Sequence, residues 1–244
     1  MFTLTVLGTA APYPQPDRPC SGYLLRTENA KVWVDAGPGS MMNLLRHTRL
    51  EELDAIWLSH LHADHTLDLV NAYYALSFGL LPKVAPIPVY APAGMGDRIG
   101  GWFLQPGVAD EVLELQDLSD GHEVRINDLS LLSKPVKHGT EAYGLRATAN
   151  GRTLVYSGDC APSPGLDVLA AGADVLLCEA DVDQPSEVHH TPEDAGELAR
   201  RAGVGRLVVT HVGPALDRVA ATKRAAVVFG GPTLTAVENE SLTV

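Results

Sequence analysis

The chain has 244 residues, of which 45% are hydrophobic and 20% are charged, a balance typical of globular proteins that bury a sizeable core. Its formal net charge of −12 at neutral pH disfavours a long nucleic acid as partner, because an acidic surface repels phosphates. No apolar run approaches the roughly 20 residues needed to cross a membrane, and three scattered cysteines are too few for a disulfide scaffold, so we expect a cytoplasmic protein with reduced thiols and no membrane contact.

The N-terminal third is predicted to contain short strands separated by turns rich in Gly and Pro. Strands are expected over residues 2–7, 22–26, 31–34 and 55–58. One helix is expected after the sharp loop 35–40, and another from about residue 66 to residue 78. Residues 59–65 therefore connect a buried strand to a helix.

The rest of the chain is predicted to change from a strand-rich middle to an alternating C-terminal third. In the middle we expect a helix over 95–103 and strands over residues 87–90, 112–115, 129–135, 142–148 and 153–156. Further on, we expect strands over 175–178, 207–209 and 233–236, alternating with helices over 166–171, 192–202 and 215–228. No repeat or linker interrupts this pattern, so one mixed α/β domain over residues 1–244 is the simplest interpretation.

A histidine cluster follows the strand predicted at 55–58. His60, His62, Asp64 and His65 place three imidazoles and one carboxylate within six residues. The end of a strand holds its loop rigidly, so these side chains can converge on one point. Imidazole nitrogens and carboxylate oxygens are ligands that Zn²⁺ and similar ions accept. The alternative is a polar loop that contains histidines by chance, and the density of the pattern favours metal binding.

Three further candidate ligands also follow predicted strands. His138 comes after the strand at 129–135, Asp159 after that at 153–156, and His211 after that at 207–209. Each residue alone is more often structural, as His138 would be at a surface and Asp159 in a turn. Their shared position just past the end of an apolar strand favours a common site.

Together with Asp35, these seven residues resemble the motifs of the metallo-β-lactamase fold along essentially the whole chain. The resemblance implies a four-layer αββα sandwich with two divalent metal ions at one edge. Zn²⁺ is the favoured metal, and Mn²⁺ is the alternative. It implies that His60, His62 and His138 bind one ion, that Asp64, His65 and His211 bind the other, and that Asp159 bridges them. It also implies that Asp35 braces the site; the alternative for Asp35 is a turn residue.

A second pair of motifs resembles the ribonuclease Z-like phosphodiesterase branch of that fold. Cys178-Glu179-Ala180 ends a predicted strand, and His189-His190-Thr191-Pro192 precedes a helix. The resemblance implies that His189 is the general acid, oriented by Glu179, and that Asp64 belongs to the catalytic set. His190 is an alternative to His189, and a purely structural Glu179–His189 pair is an alternative to catalysis.

The proteins of this branch that process tRNA carry a long basic arm between the motifs matched by His138 and Asp159. Here only 21 positions separate those two residues, which leaves no room for the arm. The resemblance therefore favours the arm-less enzymes that hydrolyse 3′,5′-cyclic nucleotides such as cAMP. The alternatives are a ribonuclease Z-type nuclease, a hydrolase of another small ester (a cyclic phosphate or a lactone), and a metal-bound scaffold without turnover. Members of this branch commonly dimerise, so we expect a homodimer.

Overall fold

Two β-sheets form the centre of the molecule in the computed structural model, which describes residues 1–82 and 85–244. The first sheet has the order β14-β1-β2-β3-β4-β5-β6, with β1 (Thr3–Gly8), β2 (Gly22–Arg26), β3 (Lys31–Ala36), β4 (Ala55–Trp57), β5 (Ile87–Ala91), β6 (Leu113–Asp117) and β14 (Ser241–Thr243). The second has the order β13-β12-β11-β10-β9-β8-β7, with β7 (Glu123–Ile126), β8 (Leu129–Pro135), β9 (Tyr143–Ala149), β10 (Arg152–Tyr156), β11 (Val175–Glu179), β12 (Arg206–Thr210) and β13 (Thr233–Thr235).

Helices cover the outer face of each sheet. They are α1 (Ser40–Leu44), α2 (Ala63–Thr66), α3 (Asp68–Phe78), α4 (Met95–Phe103), α5 (Pro164–Ala170), α6 (Pro192–Ala202) and α7 (Arg218–Phe229). A short 3₁₀ helix spans Leu50–Glu52. No helix within the described residues combines the length and the apolar character that a bilayer crossing requires.

Three apolar layers hold the sheets and helices together. In β3, Val32 and Val34 point into the layer between the sheets, whereas Trp33 points into the layer beneath α1, α3 and α4. This alternation follows from the two-residue period of a strand. A third layer, which includes Leu176 and Leu198, lies between the second sheet and α5–α7. The order helix, sheet, sheet, helix confirms the predicted αββα sandwich.

Parallel strands bring several strand ends to one edge of the sandwich. In the first sheet β3 to β6 run parallel, and in the second β10 to β13 run parallel. The loops of the two sheets meet at this edge, where His60 pairs with Ala142 and the Tyr143 amide donates to the Ser59 carbonyl at 2.9 Å. This edge carries the titratable residues described below.

The main differences between the predicted elements and the structure are one divided helix, two strands that were not predicted and one later helix start. The helix expected from residue 66 begins earlier and is divided into α2 and α3 at Leu67. Strands β7 and β14 were not predicted, because these short, polar edge strands carry no apolar run. The helix expected from residue 215 begins at Arg218, because the Asp217 side chain caps it by accepting from the Ala220 amide at 2.8 Å.

The predicted start of α6 is confirmed in detail. Thr191 Oγ1 accepts from the Asp194 amide at 3.1 Å, and Asp194 Oδ2 accepts from the Thr191 amide at 3.0 Å. Pro192 occupies the first turn. This reciprocal capping box fixes the direction in which the chain enters α6, and therefore the position of the two histidines just before it.

Candidate metal centre

Three histidine rings form the first group of possible ligands, which we call group 1: His60, His62 and His138. Nε2 of His60 lies 3.0 Å from Nδ1 of His62, which in turn lies 3.2 Å from Nε2 of His138. His60 and His62 come from the loop after β4, and His138 comes from the loop after β8. Group 1 therefore joins the two sheets.

Two carboxylates and two imidazoles form the second group, called group 2: Asp64, His65, Asp159 and His211, all of them buried. Oδ2 of Asp159 lies 3.3 Å from Nε2 of His65 and 3.4 Å from Nε2 of His211. The same oxygen lies 3.9 Å from Nε2 of His60 in group 1. Asp159 therefore stands between the two groups.

The arrangement of these atoms fits divalent cations. Within each group all the possible ligand atoms lie within 4.8 Å of one another. Nε2 of His65 and Nε2 of His211 approach to 3.3 Å, and both nitrogens face Oδ2 of Asp159 and Oδ2 of Asp64. Oδ1 of Asp159 is buried and has no hydrogen-bond partner among the described residues. A cation among these nitrogens and oxygens would satisfy all of them, and both atom types suit Zn²⁺ and related ions.

Carboxylates in group 2 and beside it raise the pKa of the group 2 histidines. Burial opposes the charged form of His65, but Asp159 and Asp35 raise the pKa of His65 well above its ordinary value. Burial likewise opposes the charged form of His211, but Asp159 and Asp64 raise its pKa to about 9. In group 1, burial and the neighbouring His65 lower the pKa of His60 well below its ordinary value. The group 2 histidines therefore favour the charged ring, whereas His60 of group 1 favours the neutral ring.

Asp35, predicted to brace the site, accepts four hydrogen bonds while fully buried. Its donors are Nδ1 of His65 at 2.7 Å, the amide and hydroxyl of Ser59 at 2.7 and 2.8 Å, and the hydroxyl of Tyr156 at 2.8 Å. The Ser59 hydroxyl also lies 3.0 Å from Nδ1 of His60. Asp35 has a φ of 54°, in the left-handed region, so a costly backbone conformation aims this carboxylate.

Glu179 and His189 form a second polar unit beside the centre. Oε1 of Glu179 lies 3.0 Å from Nδ1 of His189, and it also accepts from the Cys160 amide at 2.7 Å. Glu179 is fully buried, and burial raises its pKa to about 7. Although burial favours neutral His189, Glu179 raises the pKa of His189 above its ordinary value. The His189 ring centroid lies 5.1 Å from that of His138, so this pair faces group 1.

The neighbouring His190 faces elsewhere. It is 1% exposed, and its Nδ1 donates to the carbonyl oxygen of Cys160. The Cys160 side chain is also buried and packs with Val155 and Leu166 away from the two groups. The geometry therefore separates the two candidates for the acid: His189 lies beside the possible ligands, and His190 is part of the packing under α6.

Three residues around the centre were not predicted: Ser59, Tyr156 and Asp181. Ser59 directly precedes the histidine motif, which is the only sequence signal for it. Tyr156 ends β10, where strand alternation points its side chain between the sheets. Asp181 follows Glu179 by two residues, and its Oδ2 lies 3.8 Å from Nε2 of His189. Each of these contacts depends on how the loops of two sheets pack together, which a strand pattern does not encode.

Comparison of the sequence with known families and proteins gives a consistent picture. A family model described as "Beta-lactamase superfamily domain" matches residues 30–212. An uncharacterized protein of Mycobacterium leprae is 34% identical, with the match covering 99% of this chain and 88% of that protein. A ribonuclease Z of Mycobacterium bovis is 28% identical, with 88% of each chain covered.

Comparison of the structure with solved structures agrees on the fold. The metallo-β-lactamase fold protein YhfI from Bacillus subtilis superposes with a TM-score of 0.89 over 100% of both chains, at 23% identity. A diphosphatase of the PhnP family superposes with a TM-score of 0.81 over 100% of this chain and 98% of that one, at 21% identity. At these identities the likeness establishes the architecture.

Proposed function

The chain belongs to the β-lactamase superfamily and has the metallo-β-lactamase fold, and on that premise we propose that it is a metal-dependent phosphodiesterase. We propose a small phosphodiester as substrate, with 3′,5′-cyclic nucleotides such as cAMP as the favoured class. The observation that carries the proposal is the Glu179–His189 pair, which stands beside a set of seven possible metal ligands.

We assign the ligands as the two groups suggest. His60, His62 and His138 would hold one divalent ion, Asp64, His65 and His211 would hold the other, and Asp159 would reach both. Zn²⁺ is our first choice and Mn²⁺ our second, because imidazoles outnumber carboxylates in the set. When bound, such ions lower the pKa of a water and neutralise charge on phosphate oxygens.

The chain's own groups supply the remaining chemistry. Glu179 accepts from Nδ1 of His189, which leaves Nε2 as the edge that faces the candidate centre. Although burial opposes the charged ring, Glu179 raises the pKa of His189 above its ordinary value, which favours the protonated ring. As the bond between phosphorus and the leaving oxygen breaks, Nε2 donates its proton to that oxygen, and the neutral ring regains a proton from solvent. Asp64 completes the proposed catalytic set: it accepts the proton that the attacking water loses as the water oxygen bonds to phosphorus.

Two observations favour a small substrate over tRNA. The segment between His138 and Asp159 consists of the hairpin β9–β10 and its flanking loops, with no arm. The net charge of −12 opposes a long polyanion. The ribonuclease Z relative keeps tRNA 3′ processing as the second candidate, and hydrolysis of another cyclic phosphate or a lactone as the third.

A substrate panel tests the proposal. Purified protein loaded with Zn²⁺ or Mn²⁺ is incubated with cAMP, cGMP, cCMP and cUMP, with a precursor tRNA carrying a 3′ trailer, and with an acyl-homoserine lactone. We expect turnover of at least one cyclic nucleotide and its loss in His189→Ala. Cleavage of the tRNA or the lactone alone would favour an alternative, and no turnover by metal-loaded protein would favour a scaffold role.

We also propose the setting in which this enzyme works. Both sheets supply ligands to both groups, which supports one domain over residues 1–244. Cys20, Cys160 and Cys178 are all free and buried, which is compatible with a cytoplasmic location. A homodimer is our proposal for its assembly, which sedimentation of the purified protein tests directly.

A further inference from the structure

Asp181 lies between two histidines of the candidate centre, in the loop after β11. Its Oδ1 is 3.9 Å from Nδ1 of His211, and its Oδ2 is 3.8 Å from Nε2 of His189. The Asp181 side chain is 18% exposed, so its negative charge acts in a largely desolvated place. One carboxylate thus faces both a possible metal ligand and the proposed acid.

The His211 ring lacks a partner on the side that Asp181 faces. Its Nε2 points into group 2, 3.4 Å from Oδ2 of Asp64 and of Asp159. Its Nδ1 is buried and has no hydrogen-bond partner among the described residues. Histidines that bind metals usually donate the N–H of the other ring nitrogen to a carboxylate or carbonyl, which fixes the tautomer and the ring orientation. An approach of about 1 Å would bring Asp181 into hydrogen-bond range of this nitrogen.

The surrounding backbone places Asp181 against His211. Its amide donates to Oε2 of Glu179 at 3.2 Å, and the next amide, of Val182, donates to the His190 carbonyl at 3.3 Å. On the opposite side lies Gly213, where a Cβ would stand 2.2 Å from the Asp181 carbonyl oxygen and 2.7 Å from Oδ1. Only glycine at 213 therefore lets the loop after β12 pack this closely against Asp181.

We propose that Asp181 is a positioning residue that accepts from Nδ1 of His211 and faces Nε2 of His189. By accepting from Nδ1, Asp181 keeps Nε2 of His211 unprotonated and directed into group 2. By facing Nε2 of His189, it helps to orient that ring beside the site. The second role rests on the proposed function of His189, whereas the first rests only on the geometry of group 2.

Cobalt binding tests the first role without any substrate. Protein freed of metal by chelation is titrated with Co²⁺, followed by visible absorption and by competition with a chelator. Asp181→Ala should weaken one of the two Co²⁺ equivalents about 10- to 100-fold and leave the other near its original affinity. Asp181→Asn should bind Co²⁺ more tightly than Asp181→Ala, because the amide oxygen can still accept from Nδ1 of His211.

The matched control is Asp183→Ala. Asp183 lies in the same loop, but it is exposed and pairs with Arg224. We expect it to bind both equivalents of Co²⁺ like the original protein. Unchanged Co²⁺ affinity in Asp181→Ala would overturn the proposal, even if that variant unfolds at a lower temperature. An equal loss in Asp183→Ala would overturn it as well.

Kinetics test the second role. For whichever cyclic nucleotide the protein hydrolyses, Asp181→Asn should lower kcat while KM stays near its original value. If no cyclic nucleotide is hydrolysed but Asp181→Ala still weakens Co²⁺ binding, the proposed function fails and the role of Asp181 toward His211 stands. If Asp181→Ala does not fold, Asp181→Leu decides, because it has a similar shape and no acceptor: a Co²⁺ affinity below that of Asp183→Ala supports the proposal, and an equal affinity overturns it.

Discussion

Nδ1 of His65 donates a hydrogen bond of 2.7 Å to Oδ2 of Asp35. This bond connects β3 to α2 and directs Nε2 of His65 toward Asp159, which follows β10 of the other sheet. Ser59 extends the same support to His60, because its hydroxyl contacts both Asp35 and the His60 ring. One buried carboxylate therefore orients a histidine in each of the two groups.

Removing this carboxylate should destabilise the protein strongly. Asp35→Ala leaves the buried donors of Ser59, His65 and Tyr156 without their acceptor, and each such donor costs about 1–3 kcal/mol. We expect a loss of about 3 kcal/mol or more in the free energy of unfolding, measured with urea. Asp120→Ala, at an exposed carboxylate, serves as control and should change it by less than about 0.5 kcal/mol. A loss below about 1 kcal/mol in Asp35→Ala would contradict the bracing role.

Two buried tyrosines offer a matched pair of hydroxyl deletions. The Tyr156 hydroxyl donates to Asp35, whereas the Tyr23 hydroxyl bonds to Oγ1 of Thr210, both at 2.7–2.8 Å. Each substitution by Phe should cost about 1 kcal/mol of stability, because one buried hydrogen bond is lost. Only Tyr156→Phe should also weaken Co²⁺ binding, since only Tyr156 supports the carboxylate that orients His65. Equal metal affinities in the two variants would show that Tyr156 contributes packing alone.

A general acid matters most when the leaving group is poor. His189→Ala should lower kcat for a cyclic nucleotide about 100- to 10,000-fold, the range typical of acid catalysis. It should lower kcat for bis(4-nitrophenyl) phosphate far less, because nitrophenolate departs without a proton. Metal content, measured by mass spectrometry, should stay unchanged.

His190→Ala is the comparison for this leaving-group test. His190 lies in the packing under α6, so His190→Ala should reduce the stability of the protein. It should leave unchanged the ratio between kcat for the cyclic nucleotide and kcat for bis(4-nitrophenyl) phosphate. Equal losses on both substrates in His189→Ala would contradict its assignment as the acid.

Chelation should lower the melting temperature. An ion that binds only the folded state adds about 2.7 kcal/mol of stability at a concentration 100 times its dissociation constant. Zn²⁺ or Mn²⁺ added back should restore the original value, as followed by calorimetry. Ca²⁺ is the control: it prefers oxygen ligands, so a set made mainly of imidazoles should not respond to it. Full recovery with Ca²⁺, or no change on chelation, would contradict the proposed ligand set.

Acid stability offers a test far from the centre. Partial burial opposes ionisation of Asp174, but bonds from Arg152 at 2.6 Å and from the Thr153 amide at 2.8 Å lower its pKa. Because the pKa of Asp174 is lower in the folded protein, its stabilising effect is present at pH values above the pKa of the unfolded state, about 3.9. The effect is lost as the pH falls through the pKa of the folded state. The difference in stability between the original protein and Asp174→Asn should therefore be largest near neutral pH and shrink below about pH 4. Urea unfolding over this range measures it, and a difference that grows in acid would refute the argument.

The sequence predicts the strands near the centre well, and the reason is physical. Polar residues at the end of an apolar strand are easy to recognise in a sequence. Parallel strands bring their carboxyl ends to one edge of the sheet, as β10, β11 and β12 do for Asp159, Glu179 and His211. Edge strands β7 and β14 lack that apolar signal. Asp181 and Tyr156 were missed for another reason, since their contacts arise only when two loops or two sheets pack against each other.

Group 1 and group 2 each combine residues 60–65 with residues from position 138 onward. A bound ion in either group would therefore act as a reversible cross-link between segments that are more than 70 residues apart along the chain. Because the unfolded chain does not hold these segments together, the ion would bind the folded state alone and stabilise it by its binding free energy. Half of this chain produced alone could not assemble a complete coordination sphere, so tight metal binding should require both halves in one folded molecule.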